Sequence, residues 1–406
     1  MSRPVGTARS IRAVIVLPAD PAAMRIGGIA SFVRSFVRLA PEDFDVAMLG
    51  VSADRPTRQW STLEFEGRPI RFFPVLRADT RRRSRVPLAL RFAWALVRHG
   101  TPDGIDGSIL QFHRPGSDLA LGRTRAARLR LVHLTTADLT QQGSESRWRL
   151  LGPLLGRLER DSLRRMDRVY VVNAEAAMAY RERWPDVAER IHFMPNFYDD
   201  TIFMPMPDAT RRSQRSETLA TLGLPADARL VLSCGRLEGQ KDPSLLIEAF
   251  AALRSRRPGT ALLIVGDGAL AGGARAAVSA RGLEAAVRFL GTQPRERVND
   301  LMNVSDVLAL TSRFETGPTV GYEALATGLP VVTTPVGEVA RIVRDAGAGR
   351  TVPDRQPAVL AAAMAEVLDE DRNAIRSRAV SAAAGFAART VLEPIYDWHR
   401  RARPTR

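Results

Sequence analysis

The sequence predicts an α/β protein built from two doubly wound domains. Short apolar, β-branched runs alternate with helical patterns along all 406 residues, and such runs between helices mark parallel sheets covered on both faces. The alternation comes as two series rather than one. Between them lies MPNFYDDTIFMPMPDATRRSQRSET, residues 194–218, which is polar, rich in Pro, Asp and Arg, and without clear periodicity, as a linker should be. The expected domains are 1–200 and 201–387, with a tail of about 388–406 that forms a final helix free to pack back on the first.

Each series can be followed in order. In the first, AVIVLP (13–18), VAMLG (46–50), ILQFH (109–113), LRLVHL (129–134) and RVYVVN (168–173) read as strands. IASFVRSFVRLA (29–40) and LLGRLERDSLRRM (154–166) read as helices between them. In the second, RLVLSCG, ALLIVGDG, VRFLG, DVLALT and LPVVTTP read as strands, again separated by helices. No apolar run reaches the roughly 18 residues that would span a bilayer. The patch AVIVLP is too short for the core of a signal peptide and reads as the first buried strand. The one cysteine, Cys234, excludes a disulfide framework, fits a cytoplasmic, reducing compartment, and reads as a buried strand residue.

The net charge of +15 is uneven: residues 1–200 hold 32 arginines against 22 acids, the remainder 27 basic against 22 acidic residues. The densest stretch, residues 77–100, joins Arg77, Arg81, Arg82, Arg83 and Arg85 to an apolar segment with Trp94. Such a stretch suits an anionic membrane surface or an acidic partner; it equally suits a solvated loop before a core-facing helix. Nucleic acid is a poor partner, because the basic residues are scattered and aromatics make up only 6%.

Within GRLEGQKDPSLLIEAF, residues 235–250, Lys241 is the only lysine of the chain, against 58 arginines. The loop follows a strand; Asp242 suits a helix N-cap, Pro243 the first helical position, and Leu245, Leu246, Ala249, Phe250 and Leu253 a buried stripe. Lys241 and Arg236 thus fall at the carboxyl edge of a parallel strand, where open α/β sheets bind ligands. An ammonium is a compact charge with three rotatable donors, whereas a guanidinium is a planar fork; the lysine with Arg236 therefore points to a diphosphate. A second constellation, SRFETGPTVGYEALATGLPVVTTPVGE (312–338), places Glu315 before a helix starting near Pro318 and Glu323 inside it. That helix N-terminus offers N–H groups of Thr319, Val320 and Gly321 to an anion. The apolar surroundings of Glu323 argue against a solvated face.

These residues carry a resemblance. Both regions resemble the donor domain of GT-B glycosyltransferases, most closely the retaining family 4 group, in the arginine–lysine motif and in the two glutamates with seven residues between them. RIGGIASFV (25–33) resembles that family's first glycine loop, and LRLVHLTT the strand ending in its active-site histidine, here His133. The resemblance implies two Rossmann-like domains facing each other across a cleft, and retention of anomeric configuration. It implies a nucleotide-diphosphate sugar as donor with no further cofactor. Arg236 and Lys241 would hold the diphosphate, Glu315 the sugar hydroxyls and Glu323 the ribose. Gly27 and Gly28 would let backbone approach the phosphate and acceptor, the turn near Gly291 would border the base, and Gly266 and Gly317 would join the donor-binding residues. His133 would hold the sugar or a phosphate, with His113 ranked behind it. One departure is VGEVARIV, which has the single Gly337, and Arg341 where the pattern often has an acid.

Of the two Asp-x-Asp triplets, Asp43-Phe44-Asp45 and Asp369-Glu370-Asp371, neither falls at a strand's carboxyl edge, so metal-independent transfer is expected. The acceptor, a glycan or a lipid-linked carbohydrate, is expected on the N-terminal domain near 135–151, where Thr136, Asp138, Ser144 and Arg147 offer hydrogen bonds. A competing reading takes GDGALA (266–271) as a glycine fingerprint of an NAD-type oxidoreductase, but the next strand ends without the acid that reading requires.

Overall fold

A computed structural model describes residues 11–24, 27–80, 84, 86–114, 116–122, 124–133, 152–315 and 318–402, of which 152–155 by backbone only. The chain divides into two compact units, residues 1–195 with 392–406, and residues 196–391.

The first unit holds an eight-stranded sheet in the order β3-β4-β2-β1-β5-β6-β7-β8. Its strands are β1 (Ile11–Val16), β2 (Phe44–Ser52), β3 (Ser61–Phe65), β4 (Arg68–Arg77), β5 (Ile109–Phe112), β6 (Ala127–Val132), β7 (Arg168–Val171) and β8 (Ile191–Phe193). All neighbours are parallel except β3 and β4, which form a hairpin through Glu66 and Gly67, at φ 54° and 74°. Positive φ at both turn residues is the backbone that right-twisted strands require of a two-residue connection. The sequence reading passed over this hairpin: Pro69, Pro74 and the arginines of β4 interrupt any apolar run.

In the second unit six strands, all parallel, run in the order β11-β10-β9-β12-β13-β14. They are β9 (Arg229–Cys234), β10 (Thr260–Val265), β11 (Val287–Gly291), β12 (Val307–Leu310), β13 (Val331–Thr333) and β14 (Gly349–Thr351). Alternate residues serve opposite faces. Leu230, Leu232, Leu263 and Leu308 enter one buried cluster, while Val231, Leu262, Ile264 and Val307 enter another. Two covered faces explain why these strands read as unbroken apolar runs rather than as alternating ones.

The structure corrects the linker. Its second half is helical over Asp208–Thr221, mostly exposed, with only Arg211, Thr218 and Leu219 buried. A helix with so narrow an apolar stripe leaves no periodic signal. The final helix, Ala388–Arg401, carries Pro394 in its interior. Tyr396 donates to the Phe36 carbonyl at 2.8 Å and Arg400 reaches Asp43 at 3.0 Å. No helix among the described residues is long and apolar enough to cross a membrane.

Candidate active site

In the six-stranded sheet the strand order reverses between β9 and β12, and in open α/β sheets ligands bind at that reversal, beyond the carboxyl ends of the strands. The loops carrying Lys241 and Glu315 leave these two strands. The Lys241 ammonium pairs with Glu315 Oε1, the two side chains being 23% and 9% exposed. Ser312 Oγ donates to the same carboxylate oxygen at 2.9 Å, and Gln240 Nε2 donates to the Phe314 carbonyl at 3.1 Å. A cation and an anion brought 74 residues along the chain into one pair are the least ordinary feature of this edge. A pocket beside them is lined by Gly235, Arg236, Lys241, Thr311 and Ser312, with Cys234.

Arg236 stands apart from the pair. Its guanidinium binds Glu238 at 2.7 Å and is 56% exposed. Close backbone packing fixes the loop it stands on. A Cβ on Gly266, at φ +124°, would sit 2.0 Å from the Gly235 carbonyl oxygen, and the Gly266 N–H donates to the Gly291 carbonyl at 2.7 Å. These contacts also account for GDGALA. It follows β10, the second strand of its unit, whereas a dinucleotide fingerprint belongs to the first strand–helix turn; its glycines let two loops touch.

Glu323 lies in the helix Thr319–Ala326 and is buried. Burial pushes its carboxyl up to about 7, with Arg295 opposing the rise and Asp199 adding to it; Arg295 itself donates to Asp199 at 3.1 Å. Burial likewise pushes the Cys234 thiol up to about 12, with Glu323 raising it further and Lys241 lowering it. One strand end therefore feels charges from both motifs. Of the three N–H groups expected at the helix start, that of Gly321 is spent on the Pro318 carbonyl at 3.0 Å. Thr319 is half-buried, and the Val320 side chain joins the core. Gly337, at φ +70°, brings the next helix close: a Cβ there would stand 3.3 Å from the Glu315 carbonyl oxygen. Glu338, in that helix, pairs with Arg341. Gly317 lies outside the described residues.

The eight-stranded sheet reverses order between β1 and β5. Gly27 and Gly28 follow β1 and open the helix Gly28–Leu39; a Cβ on either would meet nothing within 4 Å. The sequence ranked His133 above His113, but the two belong together. His113 Nδ1 and His133 Nε2 are 3.1 Å apart, Gln111 Nε2 is 3.0 Å from His113 Nε2, and Phe32 packs against both rings. Burial holds both imidazoles neutral: His133 is pushed down to about 4, the Arg114 charge adding to the effect, and His113 goes well below its ordinary value. His113 is fully enclosed while His133 is half-buried, so His133 is the ring that meets solvent. Thr136, Asp138, Ser144 and Arg147 lie outside the described residues, as do Arg81, Arg82, Arg83 and Arg85.

Both acidic triplets are committed elsewhere. Asp43 binds Arg400 and Asp45 binds Arg12 at 2.7 Å, at the amino end of β2. Asp369 pairs with Arg257, Glu370 with Arg350 and Arg378, and Asp371 caps a helix. Among the described residues no group of three or more His, Cys, Asp or Glu could hold a metal ion.

Comparisons with known proteins give the family and the fold. Residues 214–384 match the family model for glycosyl transferases group 1, and residues 26–201 that for glycosyltransferase family 4. The D-inositol 3-phosphate glycosyltransferase of Nocardia farcinica is 33% identical over 239 residues, which cover 56% of this chain and 51% of that protein. The protein of the same name from Corynebacterium efficiens is 33% identical over 221 residues, 52% of this chain and 51% of its own length. The chain thus spans about half the length of the curated relatives it matches. Among solved structures, sucrose-phosphate synthase from Thermosynechococcus elongatus superposes with a TM-score of 0.75 at 21% identity, covering 96% of this chain and 98% of that one. Anabaena Alr3699/HepE in complex with UDP-glucose gives 0.70 at 17% identity, covering 97% and 100%. These likenesses establish the GT-B fold. With the two family models together taking in most of its length, the chain belongs to the family 4, group 1 glycosyltransferases.

Proposed function

We propose that the protein moves a sugar from a nucleoside-diphosphate sugar to a glycan or lipid-linked acceptor with retention of configuration. The observation that carries this reading is the Lys241–Glu315 pair at the strand-order reversal. As the glycosyl bond breaks, negative charge grows on the diphosphate oxygens. Lys241 leaves its carboxylate partner to meet that charge, and Arg236 swings from Glu238 to join it, both from a loop whose backbone is fixed. Preorganised donors are worth about 2.7–4 kcal/mol each at an oxyanion site, and here the cost of parting each cation from its carboxylate reduces that gain. Glu315, freed of the ammonium, accepts hydrogen bonds from sugar hydroxyls; Glu323, buried in the helix Thr319–Ala326 eight residues on, takes the ribose hydroxyls. Thr319 and Val320 offer main-chain N–H groups, and Gly291 borders the base. His133, kept neutral, serves as a hydrogen-bonding group for the sugar rather than as a cation.

Proteins of the same fold have been solved in complex with UDP, UDP-glucose or ADP, which makes a nucleoside diphosphate the first probe. Thermal-shift measurements with UDP, GDP, ADP and their glucose conjugates test the class and narrow the donor. A rise in melting temperature with one base, larger for its sugar conjugate, is expected. No shift with any of them, together with a response to NAD, would overturn the reading.

A membrane-borne acceptor, met at an inner membrane face by a cytoplasmic protein, is favoured by the helix Leu88–His99. Val86, just before it, and Leu90, Trp94 and Val97 within it are 49–66% exposed and fall on one helical face. Arg91 lies at the edge of that face, and the Arg98 guanidinium sits 5.4 Å from the Trp94 ring centre. An apolar strip edged by arginines fits an anionic bilayer surface. Cosedimentation with vesicles containing phosphatidylglycerol, but not with phosphatidylcholine alone, is expected, and Leu90→Ser with Trp94→Ser should abolish it. Unchanged binding in the double variant would remove the membrane from the proposal.

A further inference from the structure

We infer that Arg355, which belongs to neither motif, is the positioning residue that holds the Lys241 loop against the Glu315 loop and so aims the ammonium; the inference rests on the reading of Lys241 as the diphosphate-binding cation. Lys241 and Glu315 stand on separate loops with no regular structure between them. Part of the lacing is local: the Arg313 N–H donates to the Gln240 carbonyl at 2.8 Å and Thr311 Oγ1 to the Lys241 carbonyl at 2.8 Å. These bonds do not explain the residue beside the lysine. Asp242 has φ 49° and ψ 65°, the left-handed region, and is not a glycine. Such a backbone is unfavourable for a residue with a side chain and persists where its surroundings over-determine it.

Arg355 supplies that constraint. It sits in TVPDRQP, between β14 and the helix Pro357–Asp369. One arm of its guanidinium donates to Asp242 Oδ2 at 2.5 Å; the other donates to the carbonyls of Thr311, at 3.1 Å, and Ser312. Asp242 Oδ1 meanwhile caps the helix Pro243–Arg256 through the Leu245 N–H at 3.3 Å. A single planar fork thus joins the residue after Lys241 to the two residues that lead to Glu315. The hold reaches Glu315 through Ser312, whose hydroxyl donates to the Glu315 carboxylate at 2.9 Å. Arg313 also meets Asp242, at 3.0 Å, but its side chain is 60% exposed against 30% for Arg355. An ammonium could not span three acceptors with this geometry, so arginine is required here as lysine is at position 241.

The chain's single lysine makes the test direct. Protein grown on lysine labelled with carbon-13 at Cε gives one side-chain signal, that of Lys241. Glu315→Gln supplies the reference for an ammonium without its carboxylate partner. Arg355→Ala, and Arg355→Gln should alanine fail to fold, should move the signal toward that reference. The variants should also weaken the nucleoside diphosphate found to bind among UDP, GDP and ADP by about tenfold in isothermal titration. In a Lys241→Ala background the same change should cost less than twofold, because there is no ammonium left to position. A merely structural arginine would cost the same factor in both backgrounds and leave the lysine signal in place, and either result would overturn the inference. Native affinity in Lys241→Ala alone would instead sink the diphosphate reading, and the donor-site role of Arg355 with it; native affinity in Arg355→Ala beside a weakened Lys241→Ala would sink only the role of Arg355.

Discussion

At the carboxyl edge of the six-stranded sheet, the loops after β9 and β12 meet in an ammonium–carboxylate pair. At the corresponding edge of the eight-stranded sheet, β5 and β6 end in two imidazoles that burial keeps neutral, stacked 5.4 Å apart against Phe32. Both sites flank a reversal of strand order, so topology chose the places and side chains chose the chemistry. One edge carries a paired cation and anion; the other offers directional hydrogen bonds. Buried titratable groups on the two edges also err in opposite directions. His133 resists protonation, whereas Glu323 resists losing its proton.

The largest effect that would break this contrast concerns Lys241. Lys241→Ala should lower donor turnover by roughly two to three orders of magnitude while circular dichroism stays native; near-normal turnover would mean that the pair is structural. Gly266→Ala comes next. Its methyl would press on the Gly235 carbonyl at a left-handed φ, and a loss of about 2–3 kcal/mol in urea unfolding is expected. A loss under 0.5 kcal/mol would show that the Arg236 loop yields easily.

A third test uses pH. His133 and His399, each pushed down to about 4 by burial, protonate more readily once unfolded. The stability they lend is whole above 6.5 and drains as pH falls toward 4. Glu323 binds its proton more tightly when folded, so its contribution is whole below 4.5 and is lost as pH rises through about 7. All five tryptophans, Trp60, Trp94, Trp148, Trp184 and Trp398, belong to the first unit. Tryptophan fluorescence melts should therefore weaken on going from pH 7 to 5. The second unit, followed by hydrogen exchange of the helix Thr319–Ala326, should gain protection over the same interval. Parallel trends would erase the contrast. The smallest effect concerns Cys234, whose thiol stands near 12: iodoacetamide at pH 7.5 should leave it unmodified by mass spectrometry over an hour, since the thiolate is the nucleophile.

Much of the fold was legible because strands covered on both faces must be apolar through their middle, and β1, β2, β9 and β10 are, with polar residues only toward their ends. The strands that escaped notice, β3, β4, β8 and β14, are edges, short, or broken by proline. The two motifs of the site were legible for a chemical reason: one lysine among arginines, and two glutamates in glycine- and alanine-rich surroundings. Their partners were not. Arg355 is one of 58 arginines, and Gln111 and Ser312 carry no signature at all. That His113 and His133 sit together was not legible either, because the pairing of adjacent parallel strands delivers both rings to one place, with only His133 left half-buried.

Glu315 has one further experimental value. It shields the only side-chain amine of this chain, which is 23% exposed. Succinimidyl esters find a single side-chain target here, the terminal α-amine apart, and their rate of amide formation at Lys241, followed on its own peptide, reads out how often that pair parts. A bound nucleotide that captures the amine should slow acylation, so footprinting by peptide mass would follow occupancy without any acceptor or coupled assay.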